Sequence, residues 1–173
     1  QLLEVAKRMP ELRIVINHIG HVPIDGKAPD SEWLEGIQRA AEYSQIYMKV
    51  SAVLEQCKVE PVPSDSGFYE PTLEAMWEAF GEDRLVYGSN WPVCERASDF
   101  ATAFGVVEAF FFGKGEEARE KYFWKNAKAA YKWVERSRLR VDSKRGSHYI
   151  LVSPFKERWY ETFEMHRAAE CAG

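Results

Sequence analysis

The side chains that could perform acid–base or hydrogen-bonding chemistry stand just after short apolar runs. His18, Ser51 and Asn90 each follow such a run closely. An imidazole exchanges a proton near neutral pH, while a hydroxyl and an amide donate and accept hydrogen bonds. If the three runs are neighbouring parallel strands, these polar groups mark the rim of a pocket.

The apolar runs have the length and composition of buried strands. They cover residues 12–16, 46–50 and 85–87, and the last run ends at Gly88. Apolar residues at helical spacing predict helices before, between and after them, at residues 1–9, 32–43, 72–80, 97–112 and 116–134. Strands that alternate with helices predict an α/β fold with a parallel sheet, in which ligands bind at the carboxyl ends of the strands.

The last predicted strand carries the most specific motif of the chain. Residues 88–94 read Gly-Ser-Asn-Trp-Pro-Val-Cys. This segment resembles the last-strand signature of the amidohydrolase-related hydrolases, in the branch of fuconolactonase-like and pyrone-dicarboxylate-lactonase-like enzymes. Residues 12–20 resemble the family's sixth strand with its terminal histidine, residues 46–51 its seventh strand and residues 123–131 its closing helix.

The resemblance covers about residues 1–135 and implies a partial TIM-type (β/α)8 barrel, holding about strands 6–8 with their helices. A complete barrel takes about 250 residues, whereas this chain has 173. We therefore expect a C-terminal portion whose first five strands lie outside the sequence. Residues 136–173 have no counterpart in the family, and their pattern predicts a linker, a short strand and a helix as a C-terminal extension.

Position 90 departs from the family pattern. The lactonases that the chain resembles end this strand in an Asp, which activates water as a general base or binds a metal where one is present. The amide of Asn90 has no proton-accepting site with a useful pKa. Three explanations stay open: another base such as His18 acts instead, Asn90 orients the substrate of a different reaction, or activity is lost. The resemblance implies hydrolysis of a lactone or a related small carboxylated molecule, and we expect it to be impaired.

The resemblance assigns His18 a part in binding and polarising the substrate carbonyl. Strand alternation places His18 on the face of Ile14 and Ile16, which would then have to line the barrel. His21 is expected on the opposite side unless the loop turns, so we predict no metal site from this pair. The His-x-His motif with which metal-binding members begin their site is absent from the sequence. No cofactor is evident, and a divalent metal such as zinc is expected only if its ligands lie on strands outside this chain.

Four further side chains are candidates for substrate binding, namely His21, Lys49, Ser51 and Trp91. Lys49 could contact an anionic group of the substrate or pair with a carboxylate at the strand end. Ser51 could donate a hydrogen bond at the rim, but it is not predicted to be a nucleophile because the sequence shows no neighbouring base. Trp91 could cover a substrate ring, although packing at the strand exit is the commoner role of an aromatic residue beside Pro.

The composition is that of an ordinary globular protein. Hydrophobic residues make up 46% of the chain, and the formal net charge is -4 with both signs interspersed. The sequence has no basic stripe for a nucleic acid and no apolar run long enough for a transmembrane helix. Its three cysteines are widely spaced, which suits reduced thiols and a cytoplasmic setting.

A second hypothesis gives the chain no catalytic role. A partial barrel would leave one sheet edge unpaired and would expose apolar helix faces. Such a chain would act as an interaction or oligomerisation module, either by self-association or by binding a partner that covers the open barrel edge. Under the enzymatic hypothesis, the partner is a small-molecule substrate.

Overall fold

The computed structural model describes residues 1–133, which contain a three-stranded parallel sheet. The strands β1 (Ile14–Ile16), β2 (Ile46–Val50) and β3 (Leu85–Tyr87) lie side by side in sequence order. The prediction of an α/β fold with neighbouring parallel strands is therefore confirmed. The predicted extension at residues 136–173 lies outside the described residues.

Helices connect and flank these strands. They are α1 (Leu2–Arg8), α2 (Ser31–Ala41) between β1 and β2, α3 (Glu70–Phe80) between β2 and β3, and, after β3, α4 (Phe100–Gly113), α5 (Glu116–Glu120) and α6 (Asn126–Ala130). A π-helical turn at Lys121–Lys125 joins α5 to α6. Within the described residues, no helix has the length and apolar character needed to span a membrane.

Two helix ends show how local sequence sets the boundaries. The side chain of Asp30 accepts hydrogen bonds from the backbone N–H groups of Glu32 and Trp33, at 2.9 and 3.2 Å, and so caps α2. The predicted helix at residues 116–134 ends earlier, at Ala130. Lys132 has a φ of 51°, a left-handed conformation that a continuing helix does not allow.

The two faces of the sheet pack against different partners. One face carries alternate aliphatic side chains of the three strands into the main core with the helices; its members are Ile14, Ile16, Ile46, Met48, Val50 and Leu85. The other face buries Tyr47 and Val86 against Ala130 of α6. The face of Ile14 and Ile16, which was expected to carry His18 into a barrel interior, is thus the face that packs into the main core.

The amino end of β3 is held by polar contacts. Asn126 donates through Nδ2 to the carbonyl oxygens of Glu82 and Leu85, at 2.7 and 2.8 Å. Arg84 donates to the carbonyl oxygen of Ala41 at 2.8 Å. These contacts lie at the opposite end of the strand from His18, Ser51 and Asn90, where barrel enzymes place residues that contribute to stability.

Candidate active site

Each strand is followed by a non-glycine residue with a positive φ. The values are 51° at His18, 56° at Ala52 and 54° at Asn90. Such left-handed residues cost on the order of 1–3 kcal/mol each and concentrate at functional sites. Because parallel strands end at the same edge of a sheet, this strain is concentrated along one edge.

His18 and Ser51 form a hydrogen bond between the segments that follow β1 and β2. Nδ1 of His18 lies 2.9 Å from Oγ of Ser51, and Ser51 is only 2% exposed. The turn that holds His18 is braced by α2, because Nε1 of Trp33 donates to the carbonyl oxygen of Ile19 at 3.0 Å. The imidazole is thus held in one orientation through Nδ1, while Nε2 is the nitrogen that could contact a substrate.

The left-handed turn after β1 explains why the alternation of side chains along a strand predicted the wrong face for His18. The strand ends at Ile16, and the chain enters a 3-10 turn at His18–His21 that contains left-handed residues. His18 therefore reaches Ser51 by turning out of the strand and not by following the face of Ile16.

Asn90 contacts a carboxylate that the sequence analysis did not single out. Nδ2 of Asn90 donates to Oε1 of Glu55 at 2.6 Å. Glu55 belongs to the 3-10 turn Leu54–Gln56, a few residues beyond the end of β2. An acidic side chain soon after a predicted strand was the only sequence signal for this residue.

The turn that carries Glu55 is firmly anchored. Leu54 is 1% exposed and belongs to the main core. Beyond the turn, Ile24 and Cys57 form a parallel β-bridge between the segments that follow β1 and β2. The backbone of Glu55 is thus fixed on both sides, and the pair with Asn90 orients its carboxylate.

Gly88 allows β3 to approach β2 closely at this edge. A Cβ atom on Gly88 would lie 2.9 Å from Cβ of Ser51 and 3.1 Å from Cδ of Lys49. Next to this contact is a cavity of about 10 Å³, whose lining includes Ser51, Glu55, Gly88 and Ser89. The cavity is about the size of one water molecule and is far too small for a substrate.

His21 lies closer to His18 than the sequence predicted. The ring centroids are 5.5 Å apart, because the chain turns between the two residues. Among residues 1–133, however, no group of three His, Cys, Asp or Glu side chains could hold a metal ion. Two histidines alone do not supply the three protein ligands that a catalytic zinc usually has.

Two roles were predicted for each of Lys49 and Trp91, and the structure contradicts one of them in each case. Nζ of Lys49 lies 5.5 Å from the ring centroid of Tyr131, and within the described residues it pairs with no carboxylate. Trp91 is 62% exposed, and its Nε1 donates to Oε1 of Glu95 at 2.9 Å. Trp91 is therefore not a buried packing residue, and its ring is open to solvent.

Burial disfavours the ionised forms of two nearby side chains, the thiol of Cys94 and the phenol of Tyr87. It raises the pKa of the Cys94 thiol, with smaller contributions from the charges of Glu55 and Glu95. It also raises the pKa of the Tyr87 phenol to about 12. Cys94 is fully buried, so it is a poor candidate for a reactive thiolate.

Comparisons with known proteins agree with this architecture. The chain is 32% identical over 147 residues to an L-rhamnono-gamma-lactonase of Scheffersomyces stipitis. The alignment covers 76% of this chain and 44% of that protein. It is 33% identical over 99 residues to an L-fucono-1,5-lactonase of Burkholderia ambifaria. This alignment covers 57% of this chain and 33% of that protein. The chain thus spans less than half the length of these curated relatives.

The structural comparison points to the same fold. The crystal structure of an amidohydrolase from Burkholderia multivorans superimposes with a TM-score of 0.66 and 24% sequence identity, over 76% of this chain and 50% of that one. The sequence model of the amidohydrolase family matches residues 1–133. This chain therefore belongs to the amidohydrolase family.

Proposed function

We propose that this chain supplies part of the active site of a lactone hydrolase, and that β1, β2 and β3 are the last three strands of a (β/α)8 barrel. The observation that carries the proposal is the pairing of polar groups at one edge of the sheet, His18 with Ser51 and Asn90 with Glu55. The lactonase names of the two curated relatives support a cyclic ester as the substrate class.

The side chains suit the attack of water on a lactone carbonyl. Nε2 of His18 would donate a hydrogen bond to the carbonyl oxygen and would stabilise the negative charge that develops there. Lys49 would contact an anionic or strongly polar substituent of the substrate, and His21 and Trp91 would contact the rest of the molecule. Collapse of the tetrahedral intermediate breaks the ring C–O bond and yields a hydroxy acid.

The amide at position 90 is expected to reduce the rate. Asn90 cannot accept a proton from water, whereas a carboxylate can. We therefore expect weak turnover by the natural sequence.

A panel of sugar lactones and pyrone lactones tests the proposal. The 173-residue chain, His18→Ala and Asn90→Ala are assayed with and without added zinc, because His18 and His21 could join a metal site if further ligands were present. We expect measurable hydrolysis that both substitutions lower. Robust hydrolysis that is indifferent to both substitutions would show that the site is elsewhere.

A specific surface feature supports a second candidate, the interaction module. The segment leading into β1, which is an edge strand of the described sheet, exposes large apolar side chains, with Leu2, Val5, Met9 and Leu12 between 37% and 53% exposed. An open strand edge beside apolar surface favours association with another chain. Size-exclusion chromatography with light scattering tests this candidate, since a monomer at high concentration would speak against self-association.

A further inference from the structure

The lactonases that this chain resembles have an Asp where this chain has Asn90. The short contact between Asn90 and Glu55 places a carboxylate next to that position. Oε1 of Glu55 accepts a hydrogen bond from Nδ2 of Asn90 at 2.6 Å. Glu55 is half-buried and sits on a turn that the buried side chain of Leu54 fixes to the core. The carboxylate is therefore held at this edge of the sheet and does not move freely in solvent.

The amide of Asn90 leaves the carboxylate of Glu55 able to accept a proton. A carboxylate has about four lone-pair sites for hydrogen bonds, and the hydrogen bond from Asn90 occupies one of them. The neutral amide also avoids the charge repulsion that a second carboxylate at this distance would cause. Asn90 is thus suited to orient Glu55, although it cannot itself accept a proton.

A place for water lies beside the same carboxylate. The cavity of about 10 Å³ is lined mainly by apolar residues, among them Phe100, Phe104 and Val107 of α4, and it is also bordered by Ser51, Glu55 and Ser89. A volume of this size is at the lower limit for one water molecule. A water there would have Ser51, Glu55 and Ser89 as its candidate polar partners. Glu55 therefore borders a space of about the size of one water molecule.

We propose that Glu55 is the proton acceptor for the attacking water, in the role that Asn90 cannot perform. This inference rests on the lactone hydrolysis proposed above. The water oxygen forms a bond to the lactone carbonyl carbon while one water proton passes to the Glu55 carboxylate. When the ring C–O bond breaks, the departing alkoxide takes that proton back, so that lactone and water give one hydroxy acid and Glu55 returns to its ionised form.

The decisive substitution is Glu55→Gln. A glutamine keeps the size of the side chain and an oxygen that accepts the hydrogen bond from Asn90, but it cannot accept a proton. We expect kcat for the best lactone to fall by about 100-fold or more, with KM changed by less than about threefold because the contacts that bind substrate are kept. Glu78→Gln, which alters an exposed carboxylate on α3, is the matched control and should leave kcat unchanged.

A rescue experiment separates proton transfer from a structural role. Glu55→Ala opens space beside Asn90, and added formate is a small carboxylate that can enter it. We expect formate to restore activity to Glu55→Ala, whereas Glu55→Gln should show no rescue because its side chain still fills the space. Thermal unfolding of both variants identifies any loss that comes from unfolding.

The outcomes separate the two proposals. If the natural chain hydrolyses a lactone and Glu55→Gln retains kcat within about threefold, the assignment of Glu55 is overturned while lactone hydrolysis stands. The same holds if the folded Glu55→Ala variant is inactive and formate has no effect. If the natural chain hydrolyses no lactone of the panel, the proposed function fails and the role of Glu55 falls with it.

Discussion

Nδ1 of His18 hydrogen-bonds Oγ of Ser51 at 2.9 Å, although the two residues are 33 positions apart in the chain. Parallel pairing of β1 with β2 aligns Ile16 with Met48, and the turns that follow the strands then bring the two side chains together. The hydroxyl is buried and the imidazole is half-buried. The position of Ser51 therefore determines the orientation of His18.

Removal of the Ser51 hydroxyl should impair catalysis without abolishing it. In Ser51→Ala the imidazole of His18 loses its partner and samples other orientations, so we expect kcat/KM for the best lactone to fall by up to about 100-fold. Ser44→Ala, at an exposed position before β2, is the control. Complete loss of activity in a folded Ser51→Ala variant would indicate a nucleophile and not a positioning residue.

Substitution of Gly88 by alanine should destabilise the fold. The new Cβ would lie 2.9 Å from Cβ of Ser51, so the strands must separate or Ser51 must shift, at a cost of about 1–3 kcal/mol. Urea unfolding measures the change. Gly36→Ala in α2 is the matched control, because no atom lies within 4 Å of its new Cβ and helix propensity should make it about 0.5–1 kcal/mol more stable. Equal effects of the two substitutions would contradict the close approach at Gly88.

The cap of α4 should make stability depend on pH in the acid range. Asp99 accepts hydrogen bonds from the backbone N–H and the hydroxyl of Thr102, at 2.9 and 3.0 Å. The backbone hydrogen bond is the largest cause of the lowered pKa of its carboxyl group. Because the pKa is lower in the folded state, the stabilisation is present above the pKa of the unfolded chain and is lost as the pH falls through the folded pKa.

Unfolding of Asp99→Ala at several pH values tests this dependence. The variant should be less stable than the natural sequence at neutral pH, and the difference should shrink in acid. Asp65→Ala is the control, since the side chain of Asp65 forms no capping hydrogen bond. A stability difference that stays constant from neutral pH into the acid range would contradict the role of the carboxylate.

Two neighbouring tyrosines should respond in opposite ways to loss of their hydroxyl groups. The ring centroids of Tyr87 and Tyr122 lie 5.6 Å apart. Within the described residues, the buried hydroxyl of Tyr87 has no hydrogen-bond partner, whereas the hydroxyl of Tyr122 donates to the carbonyl oxygen of Val50 at 3.2 Å. Tyr87→Phe should leave stability unchanged or raise it, while Tyr122→Phe should cost about 0.5–1.5 kcal/mol. Chemical denaturation of both variants checks the contrast, and a larger loss for Tyr87→Phe would refute it.

Much of the fold followed from local sequence. The run from Ile46 to Val50 and the run from Leu85 to Tyr87 form strands with the predicted bounds, because nearly continuous apolar residues, interrupted only at Lys49, suit a sheet covered on both faces. Asp30 caps α2, as a short acidic side chain just before a helix commonly does. Less of the candidate site could be predicted, since strand alternation gave the wrong face for His18 and separated it from His21.

The amino-acid sequence by itself determined the order of the helices and strands, the amidohydrolase relationship and the change at position 90, because these depend on residue types and on their spacing along the chain. Only the tertiary structure decided that His18 bonds Ser51, that Asn90 bonds Glu55 and that Trp91 is exposed. The first two contacts join residues far apart in the chain. They depend on strand register and on left-handed turns after the strands, which no local pattern of hydrophobic and polar residues specifies.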